Sequence, residues 1–356
     1  MLFYQLQKKT LLTTCLVIAT IYMIQPQNRT IFNHFYYYLY PRKSIQCYHT
    51  KSETLPDISD SKPVRGRSIF FHETSCNSHL NGKIYITARQ ACAVESAARL
   101  NPNFEVNLLF ASPGVFRFEN TESDRFLQSL LSYRNVKIHH VDYGRYTKDT
   151  PVEGLYEKGQ LEVSWYAQSH ASDVLRYLTL YKYGGIYLDL DVIVIRSLEL
   201  LAPNYAGSES TRNVAAGVLS FSPDGLGHEL AKRCLEDLNE NFKGYDWGYN
   251  GPGVITRLLK DICGADTAEE MVARRCQGFR VFPKKAFYPI SWWDWEMYFD
   301  EKDTQKVLNI SKNSYVIHVW NKHSGNKRVE VKGKTAYAIF AQKFCPKVVE
   351  QCGYLF

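Results

Sequence analysis

The sequence predicts an α/β domain with a mostly parallel central sheet, preceded by an N-terminal membrane anchor and a stem. Three observations predict it: an apolar stretch near the start, an alternation of strands and helices that begins at Ser68, and the apolar run "GGIYLDLDVIVI" from Gly184 to Ile195. Strands that alternate with helices form βαβ units, which build parallel sheets. With 356 residues, of which 45% are hydrophobic and 22% charged, the chain is long enough to bury a large core.

The N-terminal segment indicates a membrane anchor. Lys8 and Lys9 precede the apolar stretch from Thr10 to Ile24, and no Asp or Glu occurs before Glu53. The positive-inside rule then predicts a cytoplasmic tail at 1–9, a transmembrane signal anchor at 10–25 and a chain that continues on the far side of the membrane. A cleaved signal peptide is one alternative, although the small-residue cleavage pattern is missing, and a buried core helix is another.

The organisation of the remaining chain follows from its composition and periodicity. Residues 26–67 are polar and interrupted by prolines, which predicts a stem, and residues 68–356 then form one lumenal domain. In this domain the pattern predicts strands at 68–75, 104–110 and 136–143, and helices at 87–102, 122–135 and 169–185. Gly184 is the expected C-terminal stop of the third helix.

Cysteine usage agrees with an oxidising compartment. Beyond the anchor the chain has eight cysteines, an even number that suits disulfides: Cys47, Cys76, Cys92, Cys234, Cys263, Cys276, Cys345 and Cys352. Cys263 with Cys276 and Cys345 with Cys352 are the pairs that sequence proximity suggests. No CxxC pair is present, which argues against a zinc site, and glycosylation sequons occur at Asn28 and Asn309.

The two carboxylates in the apolar run are the clearest sign of chemistry. The run from Gly184 to Ile195 predicts one central strand that is buried on both faces, and Asp189 and Asp191 lie two residues apart on it, so both would face the same side. Burying two like charges costs several kcal/mol per ion. A divalent cation at the carboxyl end of the strand would offset that cost; the alternative is a wet sheet edge where the pair bonds to backbone or to Arg196.

The charge pattern argues against nucleic acid as a partner. The net charge is +7, yet no run of clustered Lys and Arg appears along the chain. A moderate basic balance of this kind suits an anionic small ligand or an acidic membrane surface.

The residues around the two carboxylates resemble a known family. The segment from Ser172 to Leu198, with its Asp-x-x-Arg followed by Gly-Gly-x-Tyr-x-Asp-x-Asp, resembles the nucleotide-sugar-binding segment of glycosyltransferases with a DXD motif and the GT-A fold. Four further blocks, at 69–75, 89–102, 247–260 and 315–324, resemble the group of alpha-1,4-galactosyltransferases and alpha-1,4-N-acetylglucosaminyltransferases. The resemblance covers residues 68 to about 325 and implies a single GT-A domain.

The resemblance implies a type II Golgi enzyme that uses a UDP-sugar and Mn²⁺. Asp189 and Asp191 would be the catalytic residues and hold the metal. His318, by itself as consistent with a core histidine, would be a third ligand or contact the diphosphate. The reaction would be transfer of galactose or N-acetylgalactosamine, with retention and in alpha-1,4 linkage, to a glycosphingolipid. Whether the enzyme forms a homodimer is left open by the sequence.

The resemblance also implies donor and acceptor contacts. Asp173 and Arg176 share a helix face and would hold the donor sugar, unless they form only a surface ion pair. The remaining donor candidates are Phe71, His72, Tyr187, Asn250 and Gly251. The acceptor candidates are Trp247, Trp292 and Trp293, whose rings would stack on sugars, contact lipid or fill the core. Asn250 and Gly251 lie in a Gly-Pro turn that opens a helix, and backbone geometry alone could require that turn.

Other functions remain open on the sequence. An alpha-1,4-N-acetylglucosaminyltransferase, a GDP-mannose-using transferase acting on glycoprotein glycans and a non-catalytic lectin-like relative are the alternatives. A metal-dependent phosphohydrolase would want further His and carboxylate ligands, which the motifs do not supply. The sequence names no nucleophile for a covalent route, for which Asp173, Asp246 and Glu162 are the carboxylates to test.

Overall fold

The structure is a computed structural model that describes residues 43–50 and 55–356. Its strands are β1 Ser68–Glu73, β2 Glu105–Phe110, β3 Val136–His140, β4 Gly185–Leu188, β5 Val192–Val194, β6 Tyr205–Ser208, β7 Val214–Phe221, β8 Arg280–Phe282 and β9 Val316–His318. Its α-helices are α1 Asn77–Leu80, α2 Ala88–Leu100, α3 Glu122–Leu131, α4 Tyr143–Thr147, α5 Glu153–Glu157, α6 Ala167–Tyr183, α7 Leu226–Asn241, α8 Pro252–Cys263, α9 Thr304–Ser311, α10 Asn321–Ser324, α11 Ala336–Phe344 and α12 Pro346–Gln351. Short 3₁₀ helices lie at Lys43–His49, Ile58–Asp60, Ala268–Glu270, Lys284–Ala286, Trp292–Tyr298 and Glu301–Asp303.

The central sheet has seven strands in the order β3-β2-β1-β4-β7-β6-β8. Neighbours β3, β2, β1 and β4 are parallel, as are β6 and β8, whereas β7 runs antiparallel to β4 and β6. Four of the six neighbouring pairs are therefore parallel, which confirms the predicted mostly parallel sheet. The predicted strands and helices of the first half are all present.

Helices cover both faces of this sheet, and alternate strand residues pack on opposite sides. In β1, Ile69 and Phe71 join the core formed with α2, α3 and α11, whereas Phe70 joins the core formed with α6, α7 and α8. This alternation follows from the two-residue period of a strand. Burial on both faces explains why the parallel strands read as continuous apolar runs.

Local signals set the helix ends. Thr87 caps α2, since its hydroxyl accepts from the Gln90 N–H while the Gln90 side chain bonds back to the Thr87 N–H. Helix α6 ends at Gly184, which has φ +62° and donates its N–H to the carbonyl of Leu180. The predicted stop is thus confirmed, and the positive φ explains why glycine occupies it.

The run from Gly184 to Ile195 is not one strand, so that prediction is wrong. β4 ends at Leu188, the chain leaves the large sheet over residues 189–191, and β5 pairs antiparallel with β9 in a separate two-stranded sheet. Two short buried strands have the same apolar composition as one longer strand, which is why the pattern did not separate them. The break exposes the carboxylates at the carboxyl end of β4.

Three disulfides cross-link the described chain: Cys47–Cys76, Cys92–Cys345 and Cys263–Cys276. The predicted Cys263–Cys276 pair is confirmed. The suggested Cys345–Cys352 pair is wrong, because α2 and α11 pack together and bring Cys92 to Cys345. Cys234 and Cys352 carry free thiols.

The Cys92–Cys345 bond is expected to be a major source of stability, because it joins segments 253 residues apart. Replacing both cysteines by alanine should lower the free energy of unfolding by about 2–5 kcal/mol. Denaturant unfolding under non-reducing conditions measures this. Cys352→Ala, which removes a free thiol, is the control and should change little; equal stability of the two variants would contradict the prediction.

The predicted cytoplasmic tail and signal anchor lie outside the described residues. Among the residues described, no helix has both the length and the apolar character needed to cross a bilayer. The described part of the predicted stem packs against the domain, with Ile45, Cys47, Leu55 and Ile58 buried. The Cys47–Cys76 bond ties this segment to the loop after β1.

Candidate active site

Two aspartates and a histidine meet where the chain leaves the sheet. Asp189 and Asp191 follow β4, and His318 ends β9, whose pairing with β5 places Val192 opposite His318. Nε2 of His318 lies 3.3 Å from Oδ2 of Asp189 and 3.1 Å from Oδ1 of Asp191. One ligand atom from each residue lies within 4.8 Å of the others, so the three could share one metal ion.

Neighbouring groups fix both carboxylates. The hydroxyl of Tyr187 donates to Oδ1 of Asp189 at 2.6 Å, and Nη1 of Arg176 lies 3.5 Å from the same oxygen. The backbone N–H of Asn321 donates to Oδ2 of Asp191 at 2.7 Å. Each aspartate therefore keeps its other oxygen turned to His318.

The electrostatics of the three groups are tightly linked. Burial opposes ionisation of Asp189, but Arg176 and His318 outweigh it and lower the pKa of that carboxyl. Burial raises the pKa of Asp191, and the charge of Asp189 adds to the rise although His318 opposes it. Burial disfavours the charged form of His318, but Asp191 and Asp189 reverse this and raise its pKa. The cluster therefore attracts positive charge.

The donor set fits a divalent cation. Carboxylate oxygens with an imidazole nitrogen are common ligands of Mn²⁺-type ions. The backbone N–H of Trp320 donates to Nδ1 of His318 at 3.2 Å, which leaves the ring proton on Nε2, and a cation that took Nε2 as a ligand would displace that proton. Gly217 leaves the space free: a Cβ there would come within 2.6 Å of Oδ2 of Asp189 and 3.1 Å of Nε2 of His318.

The cluster lies in a cavity of about 760 Å³, a size that holds a nucleotide-sized ligand. Residues from β1, α6, β7, α10 and the loops after β4 and β6 form its walls. Besides the cluster, its polar lining includes His72, Glu73, Thr74, Ser75, Gln90, Gln168, Ser172, Asp173, Arg176, Glu209, Asn321, Lys322 and His323.

Asp173 and Arg176 form a buried pair beside the cluster. Nη2 of Arg176 lies 3.0 Å from Oδ1 of Asp173, and Nη1 donates to the carbonyl of Ala216 at 2.9 Å. Burial raises the pKa of Asp173 to about 7, against the opposing effect of Arg176. The surface-pair alternative is excluded, because both side chains are only 8% exposed.

The other predicted donor contacts divide into two groups. His72 and Tyr187 line the cavity; burial and the charge of Arg176 lower the pKa of His72 to about 3, so its ring is neutral. Phe71 is fully buried in the apolar core and does not line the cavity. Asn250 and Gly251 also lie behind the wall.

Asn250 and Gly251 brace the site from behind. Asn250 is 1% exposed; its side chain accepts from the N–H of Lys243, donates to the Lys243 carbonyl and bonds to Nε2 of His170. A Cβ at Gly251 would lie 2.2 Å from Oδ1 of Asp173, so only glycine lets this turn approach that carboxylate. Helix α8 begins at Pro252, as the Gly-Pro pattern predicts.

Aromatic side chains form the mouth of the cavity. Trp292 is 42% exposed and stacks on the His323 ring, with the ring centroids 5.4 Å apart. Nζ of Lys322 lies 3.4 Å from the centroid of the Trp247 ring, and both residues line the cavity. Trp293 packs edge-on against Trp292, is 59% exposed and lies outside the lining of the cavity.

Of the three carboxylates named as candidate nucleophiles, only Asp173 lines the cavity. Asp246 and Glu162 do not line it.

Comparison with known proteins identifies the family. The model of the glycosyltransferase sugar-binding region containing a DXD motif matches residues 87–210, and that of the alpha 1,4-glycosyltransferase conserved region matches residues 223–352. Human lactosylceramide 4-alpha-galactosyltransferase is 33% identical over 319 residues, which cover 87% of this chain and 86% of that protein. The chain belongs to the alpha-1,4-glycosyltransferase family.

The resemblance read from the sequence blocks is thereby confirmed, and the glycosyltransferase is a hexose-transferring enzyme. Human alpha-1,4-N-acetylglucosaminyltransferase is 29% identical, with 76% of this chain and 80% of that protein covered. Among solved structures, the glycosyltransferase GlyE of Streptococcus pneumoniae is 12% identical at a TM-score of 0.44, covering 82% of this chain and 63% of that chain.

Sequence reasoning missed several side chains in the cavity of this glycosyltransferase. Glu73 ends β1, and burial raises the pKa of its carboxyl to about 7. Glu209 follows β6, and Tyr288 lies beside His318 with ring centroids 5.6 Å apart. Of these three residues, the sequence could have indicated only Glu73 as a site residue, because it is a carboxylate at the carboxyl end of a predicted parallel strand. Glu209 and Tyr288 occupy segments without regular periodicity.

Proposed function

We propose that this glycosyltransferase moves galactose or N-acetylgalactosamine from a UDP-sugar, with retention and in alpha-1,4 linkage, to a glycosphingolipid. The observation that carries the proposal is the Asp189–Asp191–His318 cluster beside the buried Asp173–Arg176 pair in one cavity. The similarity to the human protein named lactosylceramide 4-alpha-galactosyltransferase, over 86% of its length, supports the choice of linkage and acceptor.

Asp189, Asp191 and His318 would hold a divalent cation, which we propose is Mn²⁺. When bound, it supplies positive charge to the diphosphate that leaves the sugar. Arg176 adds a fixed positive charge on the same side, held by Asp173 and the Ala216 carbonyl. Asp173 has a second oxygen with which it can accept a hydrogen bond from a donor-sugar hydroxyl. Tyr187 and His72 would complete the donor wall, and Phe71, Asn250 and Gly251 would support it from behind.

The acceptor would enter past the aromatic mouth. Trp247 and Trp292 present partly exposed rings next to the cavity, and rings of this kind stack on the apolar faces of sugars. Trp293, which lies further out, would contact the remaining glycan or the lipid surface. A glycolipid acceptor requires a cavity that opens to one side, and the mouth residues provide that opening.

The full chain is proposed to be a single-pass type II protein of the Golgi membrane. Residues 1–9 would be cytoplasmic, 10–25 the signal anchor, 26–67 the stem and 68–356 a lumenal GT-A domain. The three disulfides suit an oxidising lumen. In the described part of the proposed stem, Ile45, Leu55 and Ile58 are buried against the domain.

Transfer of N-acetylglucosamine is the second candidate, favoured by the similarity to the human alpha-1,4-N-acetylglucosaminyltransferase. UDP-galactose differs from UDP-N-acetylglucosamine at the sugar's 2-substituent and at the orientation of the 4-hydroxyl, whereas UDP-N-acetylgalactosamine differs from it only at the 4-hydroxyl. One or two hydrogen bonds in the pocket decide such a choice.

The test is nucleotide release by the lumenal chain from residue 43 with Mn²⁺ and each UDP- or GDP-sugar in turn, with and without a glycolipid acceptor. UDP release from UDP-galactose that rises with lactosylceramide supports the proposal. Nucleotide release from UDP-N-acetylglucosamine alone would support the second candidate instead. Release from GDP-mannose would show that the donor is a GDP-sugar and not a UDP-sugar. Glycan binding by a folded chain without consumption of any donor would favour a lectin-like protein.

Gly217→Ala is expected to weaken metal binding without unfolding the protein. The new Cβ would press on Oδ2 of Asp189 and Nε2 of His318, whereas an alanine side chain is tolerated at the neighbouring strand positions 215 and 216. We expect the Mn²⁺ concentration for half-maximal donor binding to rise about tenfold. Gly353→Ala, where a Cβ meets open space, is the control. An unchanged Mn²⁺ requirement would mean that the metal does not lie against β7.

A further inference from the structure

Glu209 differs from the other carboxylates that line the cavity. Asp189 is bonded by Tyr187 and Asp191 by the Asn321 N–H. Asp173 is paired with Arg176, and Glu73 accepts from the backbone N–H of Ser75. Within residues 43–50 and 55–356, no side chain or backbone group forms a hydrogen bond with the Glu209 carboxylate.

The position of Glu209 is fixed by the sheet rather than by its side chain. It directly follows β6, and its backbone N–H donates to the carbonyl of Asn213 at 2.8 Å, which closes the tight connection to β7. β7 then supplies Ala215, Ala216 and Gly217 to the same cavity wall. A carboxylate is thus held at the wall on a short loop between paired strands.

The surroundings of Glu209 are those of a carbohydrate site. Tyr288 and Glu209 both line the cavity, and the Tyr288 ring lies 5.6 Å from the His318 ring. The Tyr288 ring in turn lies 5.7 Å from the Trp320 ring, which also lines the cavity. Tyr288 is fully buried, whereas Trp320 is only partly buried, so the Trp320 ring can stack on the apolar face of a sugar whose hydroxyls donate to a carboxylate in the same cavity.

Metal ligation does not account for Glu209. The metal-competent group contains Asp189, Asp191 and His318, and Glu209 lies outside it. Neither His318 nor Lys284 forms an ion pair with Glu209 among the described residues; the ion pairs of His318 are with Asp189 and Asp191. Glu209 is partly buried, and its oxygens are not among the buried atoms that lack a partner, so they reach the open cavity, where the hydroxyls of a ligand could replace water as donors.

We propose that Glu209 binds the acceptor glycan by accepting hydrogen bonds from sugar hydroxyls other than the one that is glycosylated. The proposal rests on the proposed function, since it assumes transfer to a neutral sugar. Glu209 would thereby orient the acceptor against the donor between the Asp189–Asp191 cluster and the aromatic mouth. Its role is specificity for the acceptor, separate from the binding of nucleotide and metal.

The test compares Glu209→Gln with wild type for two quantities: the acceptor KM and the dissociation constant of the UDP-sugar with Mn²⁺. Glutamine keeps the shape but removes the charge that strengthens these bonds, so we expect the acceptor KM to rise about tenfold. The donor dissociation constant should stay within about twofold of wild type. Glu236→Gln, at an exposed glutamate of α7 that pairs with Lys232, is the matched control.

Deoxy acceptors make the test independent of any change in folding. For wild type, the acceptor that lacks the hydroxyl bound by Glu209 should have a KM about tenfold above the parent sugar, and Glu209→Gln should abolish that difference. An unchanged acceptor KM, an equal penalty for every deoxy acceptor in both proteins, or a change confined to the donor constant would overturn the proposal. Absence of transfer by wild type would instead overturn the proposed function, which keeps the two failures distinct.

Discussion

Replacing Asp191 by asparagine is expected to reduce kcat/KM about 10³-fold while leaving the folded protein as stable as wild type or more so. An amide oxygen can still accept from the Asn321 N–H, so the local geometry is kept while the charge of one proposed metal ligand is lost. A 10³-fold loss corresponds to about 4 kcal/mol of transition-state stabilisation. Metal centres contribute several kcal/mol of such stabilisation.

Although Asp191→Asn is expected to lower activity, it should not lower the stability of the folded protein. Burial and the charge of Asp189 raise the pKa of Asp191, so its ionised form is less stable in the folded protein than in the unfolded chain. A folded pKa above the unfolded value costs stability once the pH exceeds the unfolded pKa. A neutral asparagine removes that cost, and Tm at pH 7 should stay equal or rise by a few degrees.

The measurement combines steady-state transfer over a range of Mn²⁺ concentrations with thermal unfolding. Asp261→Asn is the control, because Asp261 is exposed and pairs with Arg233 on the surface. Its kcat/KM and Tm should match wild type. Retention of more than about a tenth of the activity by Asp191→Asn, with an unchanged Mn²⁺ requirement, would show that Asp191 does not hold the metal.

Sequence reasoning located the two carboxylates of the candidate metal cluster because their chemistry is local. Two aspartates inside an apolar run stand out wherever the run folds, and the two-residue spacing brings them together in a strand or in the turn that follows one. The order of helix α6 and strand β4 was equally readable, since the apolar period changes at Gly184, where the positive φ requires glycine.

Features that depend on pairing between segments far apart in the chain could not be predicted from the sequence. The break after Leu188 depends on β9, which joins β5 from more than 100 residues away, and no local pattern encodes that partner. The Cys92–Cys345 bond depends in the same way on helix packing. Asn250 looked like a ligand contact because it is polar and next to a helix start, but its side chain is committed to Lys243 and His170.

Arg176→Met is expected to lower the free energy of unfolding at pH 7.5 by about 3–5 kcal/mol, because it leaves buried carboxylates without their cation. The guanidinium contacts Asp173 and Asp189 and lies over the Tyr187 ring, 4.8 Å from its centroid. Methionine preserves the apolar stem but none of these charge contacts.

The pH dependence of this loss follows from Asp189. Although burial opposes ionisation, Arg176 and His318 lower the folded pKa of Asp189, so its ionised form adds stability above the unfolded pKa and that stability disappears as the pH falls through the folded value. Arg176→Met removes the largest source of that lowering. The part of the stability difference that comes from Asp189 should therefore be full at neutral pH and shrink below about pH 4, whereas Asp173, whose pKa of about 7 Arg176 also lowers, adds a change near pH 7; unfolding curves across that range measure both.

A second substitution separates the loss of the cation from the loss of packing. Asp173→Asn removes the carboxylate that lies closest to Arg176, so Arg176→Met combined with Asp173→Asn should recover part of the stability that Arg176→Met alone loses. Arg65→Met, at an exposed pair with Asp224, should change stability by less than about 0.5 kcal/mol. If the double variant is no more stable than Arg176→Met, uncompensated charge is not the cause, and the guanidinium acts mainly through its packing on Tyr187 and its bond to the Ala216 carbonyl.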